Sequence, residues 1–248
     1  MNDDPKPAGD SDAVPRVFST TLWTVVLEAG REDSPQMQAA LEKLCRIYWY
    51  PLYAYVRRRG YDEHSAQDLT QEFFHCLIEK NYVQAADRKR GRFRSFLLTS
   101  LNHFLANDWK KSQRQKRGGG APHLSLDAEA AEHSYSLEPV DKHTPETLFA
   151  QRWAKALVQE VMVRLRAEFA ESGRTERFDA LKPFLLDDDC GPQAEVAARL
   201  GMSEGAVKSA LHRMRERYGE LFREEIANTV ANPAEVDDEI RELFAMLG

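Results

Sequence analysis

Basic side chains are concentrated between residues 86 and 117. This segment contains ten arginines and lysines and only two acidic residues, Asp87 and Asp108, although the net charge of the whole chain is −6. Two segments that follow it along the chain are acidic. Residues 118–150 contain six carboxylates and one lysine, and residues 224–248 contain seven carboxylates and one arginine. Because guanidinium and ammonium groups at this density bind phosphates, the local pattern predicts contact with nucleic acid although the whole chain is acidic.

The chemistry of this segment suits single-stranded bases as well as phosphates. A helix is predicted from about Phe93 to Gln113, between the basic runs 87–92 and 110–117. One stripe of this helix is apolar, and another carries Ser95, Thr99, Asn102 and Trp109, flanked by His103. An exposed aromatic ring or amide offers unstacked bases a stacking face and hydrogen bonds. The alternatives are a solvated charged surface and a core position for Trp109.

A second basic surface is predicted near the C-terminus. A short helix with Val196, Ala197 and Leu200 should end at Gly201, and Ser203 should cap a longer helix. The longer helix has a buried stripe of Val207, Leu211, Met214 and Tyr218. Its opposite face carries Lys208, Ser209, His212, Arg213 and Glu216. This pattern predicts a helix-turn-helix whose second helix enters the major groove, and a plain helical hairpin is the alternative.

A third surface is acidic and amide-rich. The helix predicted from about Asp62 to Lys80 has an apolar stripe of Ala66, Leu69, Phe73, Cys76 and Leu77. Another of its faces carries Asp68, Gln71, Glu72 and His75. This face is either a docking site for a basic partner or ordinary solvated surface.

The elements that must position these groups are helices, with almost no strand signal. We predict an all-α fold of two small helical domains joined by a flexible acidic linker, the second domain containing the helix-turn-helix. The predicted boundaries are a disordered N-terminus at 1–16, a first domain at 17–117, the linker at 118–144, a second domain at 145–230 and a C-terminal amphipathic helix at 231–248. A break or kink is expected near Pro51.

The C-terminal helix has its own start signal. Asn232-Pro233-Ala-Glu235 combines a cap, a first-position proline and a capping-box glutamate. The helix that follows has an apolar stripe of Val236, Ile240, Leu243, Phe244 and Leu247. Its other side carries Asp237, Asp238, Glu239 and Glu242. It is either a structural helix that completes the second domain or an acidic helix that restrains a basic surface or the docking face of the same chain.

Composition and motifs exclude several classes of protein. Three distant cysteines form neither a disulfide framework nor a Cys-x-x-Cys zinc site, which predicts a reducing cytoplasm. The N-terminus lacks a secretory signal, and no apolar run approaches the ~20 residues of a membrane span. There is no phosphate-binding loop, zinc-protease motif or nucleophile elbow. We therefore expect no enzyme, no cofactor, no metal and no membrane partner.

In their order along the chain, three motifs resemble those of the extracytoplasmic-function (ECF) group of bacterial RNA polymerase sigma factors. Asp68-Leu-Thr-Gln-Glu-Phe-Phe74 is similar to the region that docks on the polymerase clamp helices. Phe93 to His103, continuing to Asn107-Asp-Trp-Lys-Lys111, is similar to the region that opens and reads the minus-ten promoter element. Glu195 to Tyr218 resembles the region that reads the minus-thirty-five element as duplex. The resemblance covers about Pro35–Arg117 and Trp153–Arg223.

The resemblance implies a role for each matching residue. Four residues would contact polymerase: Asp68, Gln71, Glu72 and His75. The minus-ten strand would be contacted by Arg88, Lys89, Arg90, Arg92, Arg94, Asn102, His103, Trp109 and Lys110. The minus-thirty-five groove would be contacted by Ser203, Lys208, Ser209, His212, Arg213 and Arg215. His103 stands where the family often has Asn, and Ala210 stands where it often has Arg, which removes one expected DNA contact.

The function implied is that of a sigma factor, with core RNA polymerase and promoter DNA, both duplex and melted, as partners. The resemblance leaves two forms of regulation open, a separate anti-sigma factor and built-in regulation by the C-terminal helix. The alternative function is a helix-turn-helix transcriptional regulator that is not a polymerase subunit, since such a protein needs only the second basic surface. A pure interaction protein would leave both basic surfaces unexplained.

Overall fold

The computed structural model describes residues 35–79, 92–112, 132–135, 144–186 and 192–247. The backbone in these ranges is helical and contains no strand, which confirms the all-α prediction. The predicted N-terminal segment 1–16 and most of the predicted linker lie outside the described residues. The helices are α1 (Pro35–Arg58), α2 (Glu63–Glu79), α3 (Phe93–Ser112), α4 (Pro145–Glu171), α5 (Thr175–Leu181), α6 (Pro183–Leu186), α7 (Gln193–Leu200), α8 (Glu204–Ala227) and α9 (Val236–Leu247), with a 3-10 turn at Pro233–Glu235.

Local signals in the sequence account for several helix starts. The Thr144 side chain accepts a hydrogen bond from the Thr147 N–H, and Pro145 takes the first position of α4, where a missing N–H is tolerated. The Asn232 side chain accepts from the Ala234 N–H before α9, although the first turn there is a 3-10 helix. Of the break or kink expected near Pro51, the break is absent, since α1 continues through Pro51; the kink stays a prediction.

Aromatic side chains join α1 to α3 and α4 in the core. Tyr48 packs edge-on against Phe93 of α3, with ring centroids 5.5 Å apart. Tyr55 packs edge-on against Phe149 of α4 at 6.4 Å. Trp153 of α4 is fully buried in the same hydrophobic cluster. Offset and edge-to-face aromatic pairs of this kind add to the free energy of burial. Residues of both predicted domains therefore share one core, and the division into two domains stays a prediction.

Three buried glutamates of the C-terminal half pair with basic residues of the N-terminal half. Glu160 of α4 accepts two hydrogen bonds from Arg46, at 2.9 and 3.1 Å. Glu225 of α8 lies 2.7 Å from the Lys43 ammonium group. The third is Glu239 of α9, whose two arginine partners are described with the site below. A buried carboxylate needs such a partner, so these pairs help to fix the packing of one half on the other.

The helical turn at residues 132–135 belongs to the predicted linker, and it packs on α1. Arg57 of α1 donates two hydrogen bonds to the Glu132 carboxylate, at 3.1 and 2.8 Å. The Arg57 guanidinium also lies over the Tyr135 ring, 4.9 Å from its centroid. The Tyr53 hydroxyl donates to the same carboxylate. These charge-assisted contacts attach the turn to the N-terminal half.

Among the described helices, none combines the length and the apolar composition that crossing a lipid bilayer requires.

Candidate nucleic-acid interface

Helices α7 and α8 are joined by the predicted glycine turn. Gly201 has φ 61° and ψ 33°, a left-handed conformation that glycine adopts without strain. The Ser203 side chain then accepts a hydrogen bond from the Ala206 N–H at 3.2 Å and caps α8. The short helix, the left-handed turn and the capped long helix are compatible with the predicted helix-turn-helix.

Helix α8 presents its two predicted faces as expected. Val207, Leu211 and Met214 are buried, and Tyr218 is half-buried. The predicted polar positions are all exposed: Ser203, Lys208, Ser209, His212, Arg213, Arg215 and Glu216. His212 Nε2 lies 3.4 Å from the Glu216 carboxylate. One predicted DNA contact has another use in the structure, because the Arg215 guanidinium donates to the Phe184 carbonyl at 2.6 Å.

A cavity of about 260 Å³ lies beside the exposed face of α8, and four arginines contribute to its walls: Arg174, Arg177, Arg213 and Arg217. Arg217 is paired with the Glu168 carboxylate, and this hydrogen-bonded pair lowers the pKa of Glu168 and raises that of Arg217. The Arg174 guanidinium lies over the Phe169 ring. Within the described part of the chain, Arg177 and Arg213 form no ion pair.

The cavity contains two basic residues that sequence reasoning missed, Arg174 and Arg177. Both follow Gly173, whose φ of 67° turns the chain from α4 into α5. Their charge is visible in the sequence, but their proximity to Arg213 of α8 is a tertiary feature with no local signal. Ala210 also lines the cavity, and a small residue at this position leaves room between the arginines. Unpaired guanidinium groups around a concave surface can hold an anionic oxygen.

The basic residues at the start of α3 are placed quite differently. Arg92 Nε lies 2.6 Å from the Glu239 carboxylate, and the Arg92 guanidinium also pairs with Glu242. Arg94 binds both oxygens of Glu239, at 2.7 and 3.2 Å, and Glu242 at 2.9 Å. Its guanidinium lies 5.3 Å from the centroid of the Trp153 ring. Arg92 and Arg94 are thus occupied by carboxylates of α9.

The other predicted minus-ten residues divide into three groups. Asn102 Oδ1 lies 2.9 Å from the Tyr55 hydroxyl, which is itself 3.1 Å from a carboxylate oxygen of Glu146 in α4. His103 is exposed on α3. Trp109 and Lys110 belong to α3 by their backbone, but their side chains lie outside the described set, as do the residues Arg88, Lys89 and Arg90.

Helix α2 separates its apolar stripe from its acidic and amide face as predicted. The apolar stripe is buried, and Cys76 lies in it. Asp68 and Glu72 are exposed, while Gln71 and His75 are half-buried. In the residues that the structure describes, no group of three or more histidine, cysteine, aspartate or glutamate side chains is placed to hold a metal ion.

A capped α8 with an exposed basic face and a left-handed turn before it is compatible with a DNA-binding helix-turn-helix. The family model of the ECF sigma factors matches residues 37–224, more than half of the chain, and the chain belongs to this family. It is therefore an RNA polymerase sigma factor that directs transcription initiation. The match includes α1 to α3, which decides against a helix-turn-helix regulator acting without polymerase. No characterised protein and no solved structure matches the chain significantly.

Proposed function

We propose that this sigma factor recognises its promoter at two points while it is docked on core polymerase through α2. Helix α8 binds the upstream minus-thirty-five duplex, and α3 with the segment before it holds unstacked bases of the minus-ten strand. Separating bases costs a few kcal/mol per step, which stacking and polymerase contacts can offset without ATP. We place this activity in the cytoplasm and regard it as non-enzymatic.

The observation that carries the proposal is the exposure of the polar face of α8. Lys208, Ser209, His212 and Arg213 are exposed, while the apolar side of the same helix is buried in the core. The major groove of DNA admits one helix. Side chains on the solvent-exposed face of that helix then reach the edges of the bases. In this proposal Arg213 contacts a base edge, and Lys208 contacts a phosphate.

The arginine cavity extends this surface to the DNA backbone. Arg174 and Arg177 flank α8 on one side, and Arg213 joins the cavity to the exposed face of the helix. Phosphate oxygens on both sides of the groove are the usual partners of such flanking arginines, and they fix the register of the helix on the duplex. We therefore assign Arg177 to a phosphate next to the minus-thirty-five element.

The minus-ten contacts combine charge with groups that suit bases. His103 is exposed on α3, and Asn102 lies one residue before it. Trp109 and Lys110 follow along the same helix, and the basic run Arg88 to Arg90 precedes it, with Arg92 and Arg94 at the start of α3. A stacking ring and an amide beside several phosphate ligands are typical of proteins that hold melted strands.

The test of the proposal as a whole uses purified protein with core polymerase on a library of promoter fragments. Sequencing the transcripts should give start sites that share two sequence elements, one near minus ten and one near minus thirty-five. Transcripts without a shared element upstream of the start site would contradict the two-point proposal.

The docking surface has a separate test. Replacing Asp68, Gln71 and Glu72 by alanine together should abolish co-purification with core polymerase, since complementary charge governs such encounters. The chain should still fold, because these side chains lie outside the buried stripe of α2. The double variant Glu171→Ala, Glu176→Ala is the control, as it removes two exposed carboxylates from a different surface. Polymerase binding by the folded triple variant would disprove the docking assignment.

A further inference from the structure

The C-terminal helix α9 lies on the arginines assigned to the minus-ten strand. Glu239 and Glu242 are one turn apart on α9, and together they bind Arg92 and Arg94 at the start of α3. The backbone adds a further contact, since the Phe93 N–H donates to the Thr229 carbonyl at 2.9 Å. The carboxylates stand where phosphate oxygens would have to bind.

These contacts are enclosed and complementary in charge. The Glu239 side chain is 0% exposed and that of Arg94 is 10% exposed, whereas the Glu242 side chain is 47% exposed. Arginine forms the same forked hydrogen bonds with a carboxylate as with a phosphate. A strand phosphate and the α9 carboxylates therefore compete for the same donors, and both cannot bind Arg94 at once.

Apolar contacts hold α9 in this position. Leu243 is fully buried and Val236 nearly so, both in the common core. Phe244 is 61% exposed, although its ring lies 6.0 Å from that of Phe222 on α8. The family match ends at residue 224, so α9 lies outside the matched residues.

The packed arrangement cannot bind both promoter elements at once. Elements at minus ten and minus thirty-five lie about 25 base pairs apart, which is roughly 85 Å of duplex at about 3.4 Å per pair. A compact chain of this length is only about 45 Å across. Helices α8 and α3 must therefore separate on the promoter, and α9 follows α8 after a short connection.

We propose that α9 is a built-in competitor of the melted promoter strand: its acidic face occupies Arg92 and Arg94 in the free protein and leaves them when single-stranded DNA binds. This inference rests on the minus-ten assignment made above. It adds the α9 carboxylates to the strand phosphates as ligands of Arg92 and Arg94. Binding of the strand and packing of α9 are then mutually exclusive.

The test compares two variants of α9 that remove the same charge. Glu242→Gln loses the partly exposed contact with Arg92 and Arg94 and leaves the buried Glu239 in place. Asp238→Asn is the matched control, because the partner of Asp238 among the described residues is Arg241 of the same helix. The probe is a fluorescent single strand of mixed sequence, about 20 nucleotides long, which can cover a binding groove of this kind. Circular dichroism checks that both variants fold.

Glu242→Gln should bind the strand roughly fivefold more tightly than the wild type, and Asp238→Asn should stay within about twofold of it. Amide hydrogen exchange of residues 236–246 in the wild-type protein should also become faster when the strand binds. Equal affinities of all three proteins, or unchanged or slower exchange in α9, would overturn the competition and leave the minus-ten assignment standing. No binding of the strand by any of the three would overturn both.

Discussion

The two basic surfaces of this sigma factor have similar side chains and opposite surroundings. On α8, Lys208 and Arg213 are exposed to solvent. At the start of α3, Arg94 is buried and bound to Glu239 and Glu242. The surface on α8 is open to solvent, whereas Arg92 and Arg94 at the start of α3 are occupied by carboxylates of α9.

This difference shows that the density of positive charge does not determine what an arginine does in the folded protein. An exposed arginine contributes little to the stability of the folded state. Water screens its charge, so an ion pair with a carboxylate adds little free energy. An arginine that neutralises a buried carboxylate is required for the packed state, because the carboxylate would otherwise be left without a counter-charge. The two surfaces should therefore respond in opposite ways to the same substitution.

The largest expected effect is on the free energy of unfolding, which should change for a substitution at the start of α3 and not for one on α8. Arg94→Ala should lower the free energy of unfolding by about 3–5 kcal/mol, since it leaves the buried Glu239 with one partner fewer and removes the contact with Trp153. Arg213→Ala should change it by less than about 0.5 kcal/mol. Urea unfolding of both variants, followed by circular dichroism, measures the difference. Similar unfolding midpoints for the two variants would contradict the comparison.

The next largest effect is on duplex binding. Here substitutions on α8 should have the larger effect and substitutions at the start of α3 the smaller one. Arg213→Ala should weaken binding to a minus-thirty-five duplex by about 1–3 kcal/mol, because it loses contacts to a base edge. Lys208→Ala and Arg177→Ala should each lower the affinity for all sequences. Each should also reduce the salt dependence of duplex binding by the amount that about one phosphate contact contributes. Titrations at several salt concentrations distinguish the two effects.

Two controls complete this experiment. Arg166→Ala removes an exposed arginine of α4 that lies 3.7 Å from Asp179, and it should leave duplex affinity unchanged. Arg92→Ala should do the same, because Arg92 is assigned to the melted strand. If neither Arg213→Ala nor Lys208→Ala alters duplex binding, the basic face of α8 is only solvated surface.

Features with a local cause could be predicted from the sequence. Gly201 ends α7 because its left-handed conformation suits glycine, and Ser203 caps α8 because its hydroxyl satisfies a free N–H. The apolar stripe of α2 is buried where the helical period places it, as are Val207, Leu211 and Met214 of α8. Asn232 likewise marks the start of the last helical segment. Each of these features depends only on residues a few positions apart.

Features that depend on distant partners could not be predicted. Arg94 belongs to a basic run, but its partner Glu239 is 145 residues away along the chain. Glu239 is on the polar side of α9, yet it is buried, because its position on the helix faces Arg92 and Arg94. Phe244 belongs to the apolar stripe and is exposed. Arg177 lines the same cavity as Arg213 only through the tertiary packing of the chain.

The smallest expected effect is a pH dependence of the covered surface. The hydrogen bond from Arg92 lowers the pKa of Glu242 below its ordinary value of 4.5. The unfolded chain then takes up a proton more readily than the folded chain, so the contact stabilises the folded state at neutral pH and is lost as the pH falls below 4.5. Solvent screens this half-exposed pair, and its contribution should stay below about 1 kcal/mol.

Unfolding of the wild type and of Glu242→Gln, measured from neutral pH downward, checks this sign. The difference between the two proteins should be present at neutral pH and should vanish well below pH 4.5. Glu168→Gln on the open side should show the same trend, since Arg217 lowers the pKa of Glu168, but it should leave the affinity for single-stranded DNA unchanged. A difference that stays constant with pH would mean that the Arg92–Glu242 contact does not stabilise the folded chain, because a stabilising pair must weaken when its carboxylate is protonated.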